Sequence, residues 1–446
     1  MLHMDKRTFL KLSSFMMAGS ALSPLAGLAQ DEKITNWAGN FTYSTSSVFR
    51  VSGLEEARDV IKRTAKLKVL GTRHCFNDIA DSHHHFLSLS ELNKAVALDS
   101  SGHTVTVESG VKYGELAVML NDKGYALHNL ASLPHISVAG GCATATHGSG
   151  VHNGNLSSVV MGIELITAAG EMVSLSRHNE QFGLAVIHLG GIGAVTKLTL
   201  SIQPSYQIRQ YVFENLPMAA LERHFDEIMG AGYSVSLFTD WRDKNINEVW
   251  IKSKDASFSG HPEFHGAKAA AKNLHPIREL GAGNCTEQMG VPGPWHERLP
   301  HFRMGFTPSS GKELQSEYFV PREHSYAAIK AVEQLHEKIS PHLLITEVRC
   351  IDADQLPMSP CYHRPSTAIH FTWKPEWPQV RQLLPLIEQQ LAPYDARPHW
   401  GKLFTMPHQR LAALYPKMHQ FQQLLRHYDP TGKFRNEYLD RVIFGA

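Results

Sequence analysis

Hydrophobic and polar residues follow two different periods over the first two hundred positions. Leu54, Ala57, Val60 and Ile61 recur at helical spacing, which predicts a helix that ends near Lys66. A second helix is predicted over residues 113–123, which Gly124 ends. Strands are predicted where the period is two: residues 103–107, 163–167, 172–175 and 196–202. The pattern therefore predicts small sheets and helices mixed along the chain.

The first helix begins next to a candidate cap and is followed by a loop with unusual chemistry. Ser52 and Glu55 have the spacing of a capping box. Beyond the helix, Lys68–Leu70 is predicted as a short strand that leads into Gly71–Asn77, the first loop. His74 in this loop is a candidate surface residue, metal ligand, proton carrier or attachment point.

The pattern changes from about Pro204 onward. Aromatic residues, tryptophan and proline become more frequent, and an irregular stretch spans residues 285–302. Strand and helix signals resume at residues 317–333. A chain of 446 residues is too long for one ordinary core, so two domains are expected. The fold class that we predict is α+β.

Composition excludes several classes of protein. Hydrophobic residues make up 43% and charged residues 19%, which is typical of folded globular proteins. The formal net charge of +1 builds no basic field, so nucleic acid is not expected as a partner. After the N-terminal region the chain has no apolar run of membrane length, and stable membrane insertion is not expected.

Neither cysteine nor histidine spacing indicates a metal centre. The five cysteines lack CxxC spacing and are odd in number, which argues against a disulfide framework and a structural zinc site. Free, buried thiols are expected instead. The run His83-His84-His85 has no second ligand cluster at an informative spacing, so we interpret it as a solvated loop and expect no metal.

The N-terminus has the order of a secretory signal. Basic residues come first, a mild apolar stretch follows, and Gly27-Leu28-Ala29 offers a small-residue cleavage site. Lys6-Arg7-Thr8-Phe9-Leu10-Lys11 resembles a twin-arginine export signal, with lysine in place of the first arginine. We therefore predict export to the periplasm by the twin-arginine machinery, or a cytoplasmic protein if the leader is not functional. A monomer is expected.

Glycine-rich loops are candidates for phosphate binding because their backbone amides are accessible. Residues 189–193 nearly match a dinucleotide fingerprint, but Thr196 replaces the third glycine and a strand follows instead of a helix. A Rossmann site is therefore excluded there. No GxxxxGK pattern occurs, so an NTPase is not expected. The first loop and residues 137–150 together offer amides and hydroxyls for a pyrophosphate.

The order of these motifs resembles a known flavoprotein family. The run GTRHCFN is followed by SLPHISVAGGCATATHGSG and then by LGGIGAVT. This order is similar to the FAD-binding (PCMH-type) domain of vanillyl-alcohol-oxidase-type flavoproteins, and within them to alditol (xylitol) oxidases. Further matching stretches cover nearly all of the chain after the leader: NWAGN at 36–40, SLFTDW at 236–241, CTEQMGVPGPWHERLPHF at 285–302, EVR at 347–349, HFTW at 370–373 and HWGK at 399–402.

The resemblance implies FAD held by one covalent bond, through His74. Relatives often have glycine where this chain has Arg73, and its role is left open. Some relatives add a cysteine tether, but Ser132–His135 has no cysteine and Cys142 lies further along. The other cofactor-binding residues that the resemblance implies are Val69, Leu70, Gly71, Thr72, Arg73, Cys75, Ser132, Ser137, Gly140, Thr144, Ala145, Thr146, His147, Val195 and His399.

Two pairs of polar residues in the second half have strand spacing. Glu347 and Arg349 are two apart and share one face of an extended strand, and so do His370 and Thr372. Such pairs are also typical of solvated salt bridges and of packed or capping residues, and their spacing alone does not decide between these interpretations.

The resemblance assigns these residues to a polyol site, together with Ser132 and Lys402. Arg349, held by Glu347, then stabilises the negative charge of the reduced flavin. Ser132, Thr372 and Glu347 hold substrate hydroxyls. The choice of base between His370 and Lys402 is left open.

The function that the resemblance implies is an FAD-dependent oxidase of sugar alcohols such as xylitol and sorbitol. Hydride transfer from the terminal CH–OH to flavin N5 gives an aldose, and O₂ gives H₂O₂. The alternatives are an aldono-1,4-lactone oxidase or dehydrogenase of the same family, and a polyol- or flavin-binding protein without turnover. The expected organisation is a leader at 1–29, an FAD-binding domain at 33–208, a cap domain over the substrate at 209–395 and a returning C-terminal segment at 396–446.

Overall fold

The structure is a computed structural model that describes residues 33–305 and 312–446. The predicted leader at residues 1–29 lies outside the described residues. Residues Lys33–Ala446 form one compact unit. The predicted boundaries near residues 208 and 395 fall inside this unit and stay predictions.

The first half alternates short strands with helices. Its strands are β1 (Val48–Arg50), β2 (Lys68–Val69), β3 (Phe86–Ser88), β4 (Ala95–Asp99), β5 (Thr104–Glu108), β6 (Tyr125–Ala126), β7 (Val160–Ile166), β8 (Met172–Ser176), β9 (Ala194–Ser201) and β10 (Gln203–Pro204). Its helices are α1 (Leu54–Arg63), α2 (Tyr113–Asp122), α3 (Val138–Ala143) and α4 (Phe182–Val186). The predicted elements of this half are present, with ends that differ by a few residues.

Two sheets of this half carry the loops of interest. Strands β1, β3 and β2 are parallel, in the order β1-β3-β2, and the first loop follows β2 directly. Strands β4, β5, β9, β7 and β8 form an antiparallel sheet in that order. Alternating burial along β5 and β9 explains the period-two pattern, because one face of this sheet packs on the core.

The predicted capping box of α1 is wrong. Gly53 is the N-cap residue and makes no side-chain cap bond. The backbone N–H and the hydroxyl of Ser52 both donate to Glu56 instead of Glu55. Glu56, one residue beyond the predicted Glu55, accepts these bonds, so the sequence spacing of a capping box is present but the capping box itself is not formed.

The second half is dominated by a large antiparallel sheet whose strands differ in length. Its strands are β11 (Gln207–Pro217), β12 (Ser234–Thr239), β13 (Asn245–Ser253), β14 (Glu263–Phe264), β15 (Ala267–Ala269), β16 (Gly293–Pro294), β17 (Leu314–Pro321), β18 (Leu343–Ile351), β19 (Ser366–Trp373) and β20 (Arg397–Pro398). The helices are α5 (Met218–Met229), α6 (Trp295–Arg298), α7 (Ser325–Glu333), α8 (His336–Ile339), α9 (Trp377–Leu391), α10 (His408–Leu414), α11 (Met418–Tyr428) and α12 (Glu437–Leu439).

The order of the central strands places distant residues side by side. The large sheet runs β14-β15-β11-β13-β12-β18-β19-β17-β20, with β16 beside β11. Glu347 of β18 lies opposite His370 of β19, and His370 lies opposite Glu317 of β17. Because directly opposed residues point to the same face, these three polar side chains form a row across the sheet.

Helices cover the other face of these strands. Helix α7 contacts α9, β17 and β19, and Val380, Leu384 and Ile387 of α9 are buried. With one face packed on helices, the face that carries the polar row is left for the first-half loops. None of the helices within residues 33–305 and 312–446 combines the length and hydropathy that crossing a bilayer requires.

Candidate active site

A deep cleft lies where the loops of the first half meet the polar face of the large sheet. Most of the predicted site residues line it: Val69, Gly71, Thr72, Arg73, His74, Cys75, Ser132, Gly140, Thr144, Thr146, His147, Glu347, Arg349, His370, Thr372, His399 and Lys402. Leu70, Ser137, Ala145 and Val195 are buried behind this wall, in contact with its lining or in the core. The predicted cofactor side and substrate side therefore share one cavity.

The first loop presents both His74 and Arg73 at the cleft. The ring of His74 stacks on Trp37 with centroids 5.2 Å apart. Arg73 has a φ of 64°, a left-handed conformation in which glycine is favoured. Its guanidinium is exposed and donates to the carbonyl of Thr35 at 3.1 Å. The backbone thus explains why a glycine suits this position.

The ionisation of His74 is set by its surroundings. Burial lowers the pKa of His74 to about 4, and His135 and Arg73 act in the same direction. At neutral pH the imidazole is therefore uncharged, and one ring nitrogen keeps its lone pair.

The glycine-rich loop forms the opposite part of the wall. The hydroxyl of Ser137 accepts from the amide of Gly140 at 3.3 Å, and the amide of Ser137 donates to Thr72 Oγ1 at 3.3 Å. Gly71 and Gly140 are exposed on the cleft surface, and a Cβ on Gly140 would lie 2.8 Å from Ser137 Oγ. A wall of glycines and hydroxyls fits a pyrophosphate-containing cofactor such as FAD, which needs close backbone approach.

The C-terminal segment is fastened to the first loop. The side chain of Asn77 donates to the carbonyls of Trp400 and Lys402 at 2.8 and 2.7 Å, and the amide of Phe76 donates to Gly401 at 2.8 Å. These bonds join the loop that carries His74 to the segment that carries Lys402.

Arg349 pairs with two carboxylates, one of which was not predicted. Its Nη2 lies 2.7 Å from Glu317 Oε1, whereas its Nε lies 3.5 Å from Glu347 Oε1. Nε makes no hydrogen bond with any of the described residues, although it is buried. The predicted pairing of Glu347 with Arg349 is present, and Glu317 is an additional, closer carboxylate, because β19 lies between β17 and β18 and the three strands place these side chains on one face.

Glu347 is itself held by His301, which lines the same cleft. Its Oε1 lies 2.7 Å from Nε2 of His301, and Nδ1 of His301 lies 3.2 Å from the ammonium of Lys252. Lys252 also donates to the carbonyls of Leu299 and Pro300. The end of the irregular stretch 285–302 therefore reaches into the site, where it orients Glu347.

Lys402 lies between two side chains of the row. Its Nζ is 2.6 Å from Glu317 Oε2 and 2.7 Å from His370 Nδ1. His370 Nε2 is 3.0 Å from the hydroxyl of Thr372. The two candidate bases are thus in direct contact with each other, and Glu317 contacts one of them closely.

Burial and charge pull these pKa values in opposite directions. Burial raises the pKa of Glu317, but Lys402, His147 and Arg349 hold it well below the usual range. Burial lowers the pKa of Lys402, and Glu317 opposes this shift. Burial and then Lys402 lower the pKa of His370 to about 4. The site therefore contains two carboxylates, a guanidinium and an uncharged His370 beside a lysine of reduced basicity.

Glu317 and His301 were not identified from the sequence. Glu317 is completely buried as a side chain and meets His147 Nε2 at 3.2 Å in addition to its two cations. A charged residue in the middle of an otherwise uncharged strand, LQSEYFVP, was the available signal. His147, Glu317 and His399 also have the geometry of a metal group, but Arg349 and Lys402 already occupy the Glu317 carboxylate.

Comparisons with known proteins agree with this arrangement. Residues 47–176 match the family profile described as FAD binding domain, and residues 308–442 match the one described as D-arabinono-1,4-lactone oxidase. An alditol oxidase from Streptomyces sp. strain IKD472 is 45% identical over 92% of this chain and 99% of its own length. An L-gulono-1,4-lactone dehydrogenase from Mycobacterium tuberculosis is 26% identical over 92% of this chain and 98% of its own length.

The fold also resembles a solved structure. Cholesterol oxidase from Brevibacterium sterolicum superposes with a TM-score of 0.75 at 14% identity, covering 95% of this chain and 100% of its own. The predicted α+β flavoprotein fold is confirmed. Together with the identity to the Streptomyces enzyme over nearly the whole of both chains, it shows that this chain belongs to the vanillyl-alcohol-oxidase type of FAD-dependent oxidoreductases, in the group of the alditol oxidases.

Proposed function

We propose that this chain oxidises sugar alcohols such as xylitol and sorbitol with FAD and O₂, giving an aldose and H₂O₂. The observation that carries the proposal is the polar row of Glu347, His370 and Glu317, with Arg349 and Lys402 beside it, facing a cleft that fits FAD. The 45% identity to an alditol oxidase over 92% of the chain supports the same reaction.

The chemistry requires a hydride acceptor and a group that takes the hydroxyl proton. Bound FAD supplies the hydride acceptor. An alcohol holds its proton about as firmly as water, whose pKa is about 15.7, so a positioned base is typically worth about 10²–10⁴ in rate. Lys402 and His370 provide that base as a contacting pair, and Arg349 supplies positive charge for the reduced cofactor. Ser132, Thr372 and Glu347 offer hydrogen bonds to the other hydroxyls.

Anaerobic mixing of the purified yellow protein with xylitol tests this function. We expect the flavin absorbance near the visible maximum to bleach within the mixing experiment and to return on admission of air, with release of H₂O₂. Sorbitol should behave similarly. Failure of every alditol to bleach the flavin would contradict the proposal, and a binding protein without turnover would give this result.

The second candidate is oxidation of aldono-1,4-lactones, which the family match at residues 308–442 favours. The same anaerobic assay with L-gulono- and L-galactono-1,4-lactone separates the two. Faster bleaching by the lactones than by the alditols would establish this alternative. A flavin that stays bleached after air is admitted, without formation of H₂O₂, would indicate a dehydrogenase.

We propose further that FAD is attached by one covalent bond, to His74. An uncharged imidazole with a free lone pair supports this role. Burial raises the pKa of Cys75 to about 12, which keeps this thiol protonated and a weak nucleophile. Cys142 contacts Tyr113 within the core at 3.3 Å, so a second tether is not expected there.

Mass spectrometry of the acid-denatured protein tests the attachment. The wild-type chain should carry the mass of one FAD, and His74→Ala should release all flavin into the acid supernatant. Cys75→Ala is the matched control and should retain covalent flavin. Flavin that stays bound in His74→Ala would show that another residue holds it.

Export and assembly are proposed on the sequence alone. We propose a periplasmic location reached through the leader at residues 1–29, and a monomeric protein. The same mass spectrum reports the N-terminus of protein taken from the periplasmic fraction, and an intact leader there would contradict processing. Size-exclusion chromatography with light scattering gives the oligomeric state.

A further inference from the structure

We propose that Glu317 is a positioning residue for this reaction. Together with His370 it orients the amine of Lys402 so that the nitrogen lone pair faces the cleft, and Lys402 is therefore the base. The inference rests on the proposed function and deepens it, because it chooses between two candidate bases that share one contact. Glu317 was absent from the residues that sequence motifs indicated, and its role follows from the geometry of the row.

The first step concerns the directions around Lys402 Nζ. An amine nitrogen has four tetrahedral positions, of which one is bonded to carbon. Glu317 Oε2 at 2.6 Å accepts at one of the others, and His370 Nδ1 at 2.7 Å accepts at another when His370 is the tautomer whose Nε2–H donates to Thr372. Lys402 lines the cleft, and its side chain is 14% exposed against 8% for His370 and 0% for Glu317. The remaining position therefore meets a ligand in the cleft.

The second step excludes His370 as the direct base. Both of its ring nitrogens are engaged, Nδ1 by Lys402 and Nε2 by Thr372. A hydroxyl in the cleft would have to displace one of these bonds to reach a lone pair. Lys402 in its uncharged form donates to Glu317 and His370 and still has a lone pair for the hydroxyl.

The third step concerns the charge that forms. As the substrate O–H bond breaks, an N–H bond forms on Lys402 and the uncharged amine becomes ammonium, while the C–H hydride leaves to the oxidant of the proposed reaction. The Glu317 carboxylate, 2.6 Å away and enclosed by protein, stabilises that ammonium. Its other oxygen holds Arg349 at 2.7 Å, so one carboxylate fixes both cationic groups.

Several charged or titratable groups surround this pair. Those that face Lys402 and Glu317 from the elements packed around them are His147 from the glycine-rich loop, Glu347 and Arg349 from β18, His370 from β19 and His399 from the C-terminal segment. Burial lowers the pKa of Lys402 and Glu317 opposes this shift, so removing the Glu317 charge lowers the pKa further.

The test is the pH profile of anaerobic flavin reduction in E317Q, with whichever donor reduces the wild-type protein. Because the base must be uncharged, the rate rises with pH to a plateau, and the midpoint of that rise reports Lys402. In E317Q we expect the midpoint to move to lower pH and the plateau to fall by about 10²-fold, since a less stabilised ammonium makes a weaker base. The midpoint potential of the flavin should become more positive, because a buried negative charge near the cofactor is lost.

Glu388→Gln is the matched control. Glu388 accepts a hydrogen bond from the hydroxyl of Tyr318 at 3.0 Å, and Tyr318 follows Glu317 on β17. Glu388 itself does not line the cleft. It should leave the midpoint and the plateau unchanged. Glu317→Asp keeps the charge but shortens the reach, so its midpoint should stay near the wild-type value while the plateau falls.

Three results would overturn the proposal. An E317Q midpoint that stays in place or moves to higher pH would mean that Glu317 does not set the Lys402 pKa. An equal change in E388Q would mean a general effect of carboxylate loss. If E317Q retains no FAD, E317D decides: a displaced midpoint with its charge intact would contradict the role. A wild-type protein that no donor reduces would contradict the proposed function itself, whereas the flavin potentials still report on Glu317.

Discussion

The two walls of the cleft are built on different principles. The cofactor wall uses small residues and backbone, with Gly71 and Gly140 exposed and Ser137 joining the two loops. The substrate wall uses long charged side chains, which project from neighbouring strands of one sheet in strict register. The first wall depends on its shape, which allows a ligand to approach the backbone closely. The second wall depends on the balance of its buried charges.

The difference teaches where each wall is sensitive. A backbone surface tolerates changes of charge nearby but not an added side chain, because close approach is what it offers. A row of buried charges tolerates little change in charge, because removing one partner leaves another buried and uncompensated. We therefore expect substitutions on the cofactor wall to lower FAD retention, and substitutions on the substrate wall to lower the rate of catalysis.

Among substitutions on the two walls, Lys402→Ala is expected to have the largest effect, and this effect is on the rate of flavin reduction. The rate of flavin reduction by xylitol should fall by about 10²–10⁴-fold, since a positioned base is lost. Stopped-flow absorbance under anaerobic conditions measures the rate, and the FAD content should stay at the wild-type level. Lys374→Ala removes a lysine at the end of β19 that bonds the carbonyl of Pro341 and should reduce normally. Reduction near the wild-type rate in Lys402→Ala would refute the base.

Gly140→Val, on the cofactor wall, should lower the FAD content of the protein. The new Cβ would lie 2.8 Å from Ser137 Oγ, and the side chain would project from the cleft surface where FAD is expected. We expect at least about tenfold less FAD per chain by absorbance, with the fold retained by circular dichroism. Gly283→Val, where a Cβ meets no atom within 4 Å, is the control. Full FAD content in Gly140→Val would place the cofactor elsewhere.

The smallest effect should be a gradual loss of stability with acid. Burial lowers the pKa of His301 and His370 to about 4, against about 6.5 in an unfolded chain. Unfolded histidines therefore bind protons first, and the free energy of unfolding should fall as pH drops from about 6.5 to about 4. Urea titrations at several pH values measure this slope, and His370→Gln should make it shallower. A stability that is constant over this window would contradict the buried, uncharged state of these histidines.

Local elements and most of the cleft lining were predictable from the sequence. The two-residue spacing of Glu347 with Arg349, and of His370 with Thr372, predicted that each pair shares one face of a strand, and β18 and β19 carry them. The loops were identified from glycine content and their family resemblance, and their residues line one cavity with Lys402.

The pairing between strands was not predictable in the same way. Glu317 meets Arg349 because β19 lies between β17 and β18, and no local pattern in any of the three strands specifies that order. His301 lies in a stretch without periodicity, so its contact with Glu347 had no local signal. The resemblance paired Arg349 with Glu347, and that contact is present at 3.5 Å, whereas the closer contact with Glu317 at 2.7 Å comes from the register of the sheet.

The bonds from Asn77 and Phe76 to residues 400–402 have a consequence for recombining this enzyme with its relatives. They connect positions more than three hundred residues apart in the chain, so the histidine loop and the lysine segment form one structural unit. A chimera with a single crossover anywhere between them would join halves from different parents at this seam. Two crossovers that keep residues 71–77 and 399–402 from one parent preserve it, and those are the exchanges from which new substrate preferences can be sought.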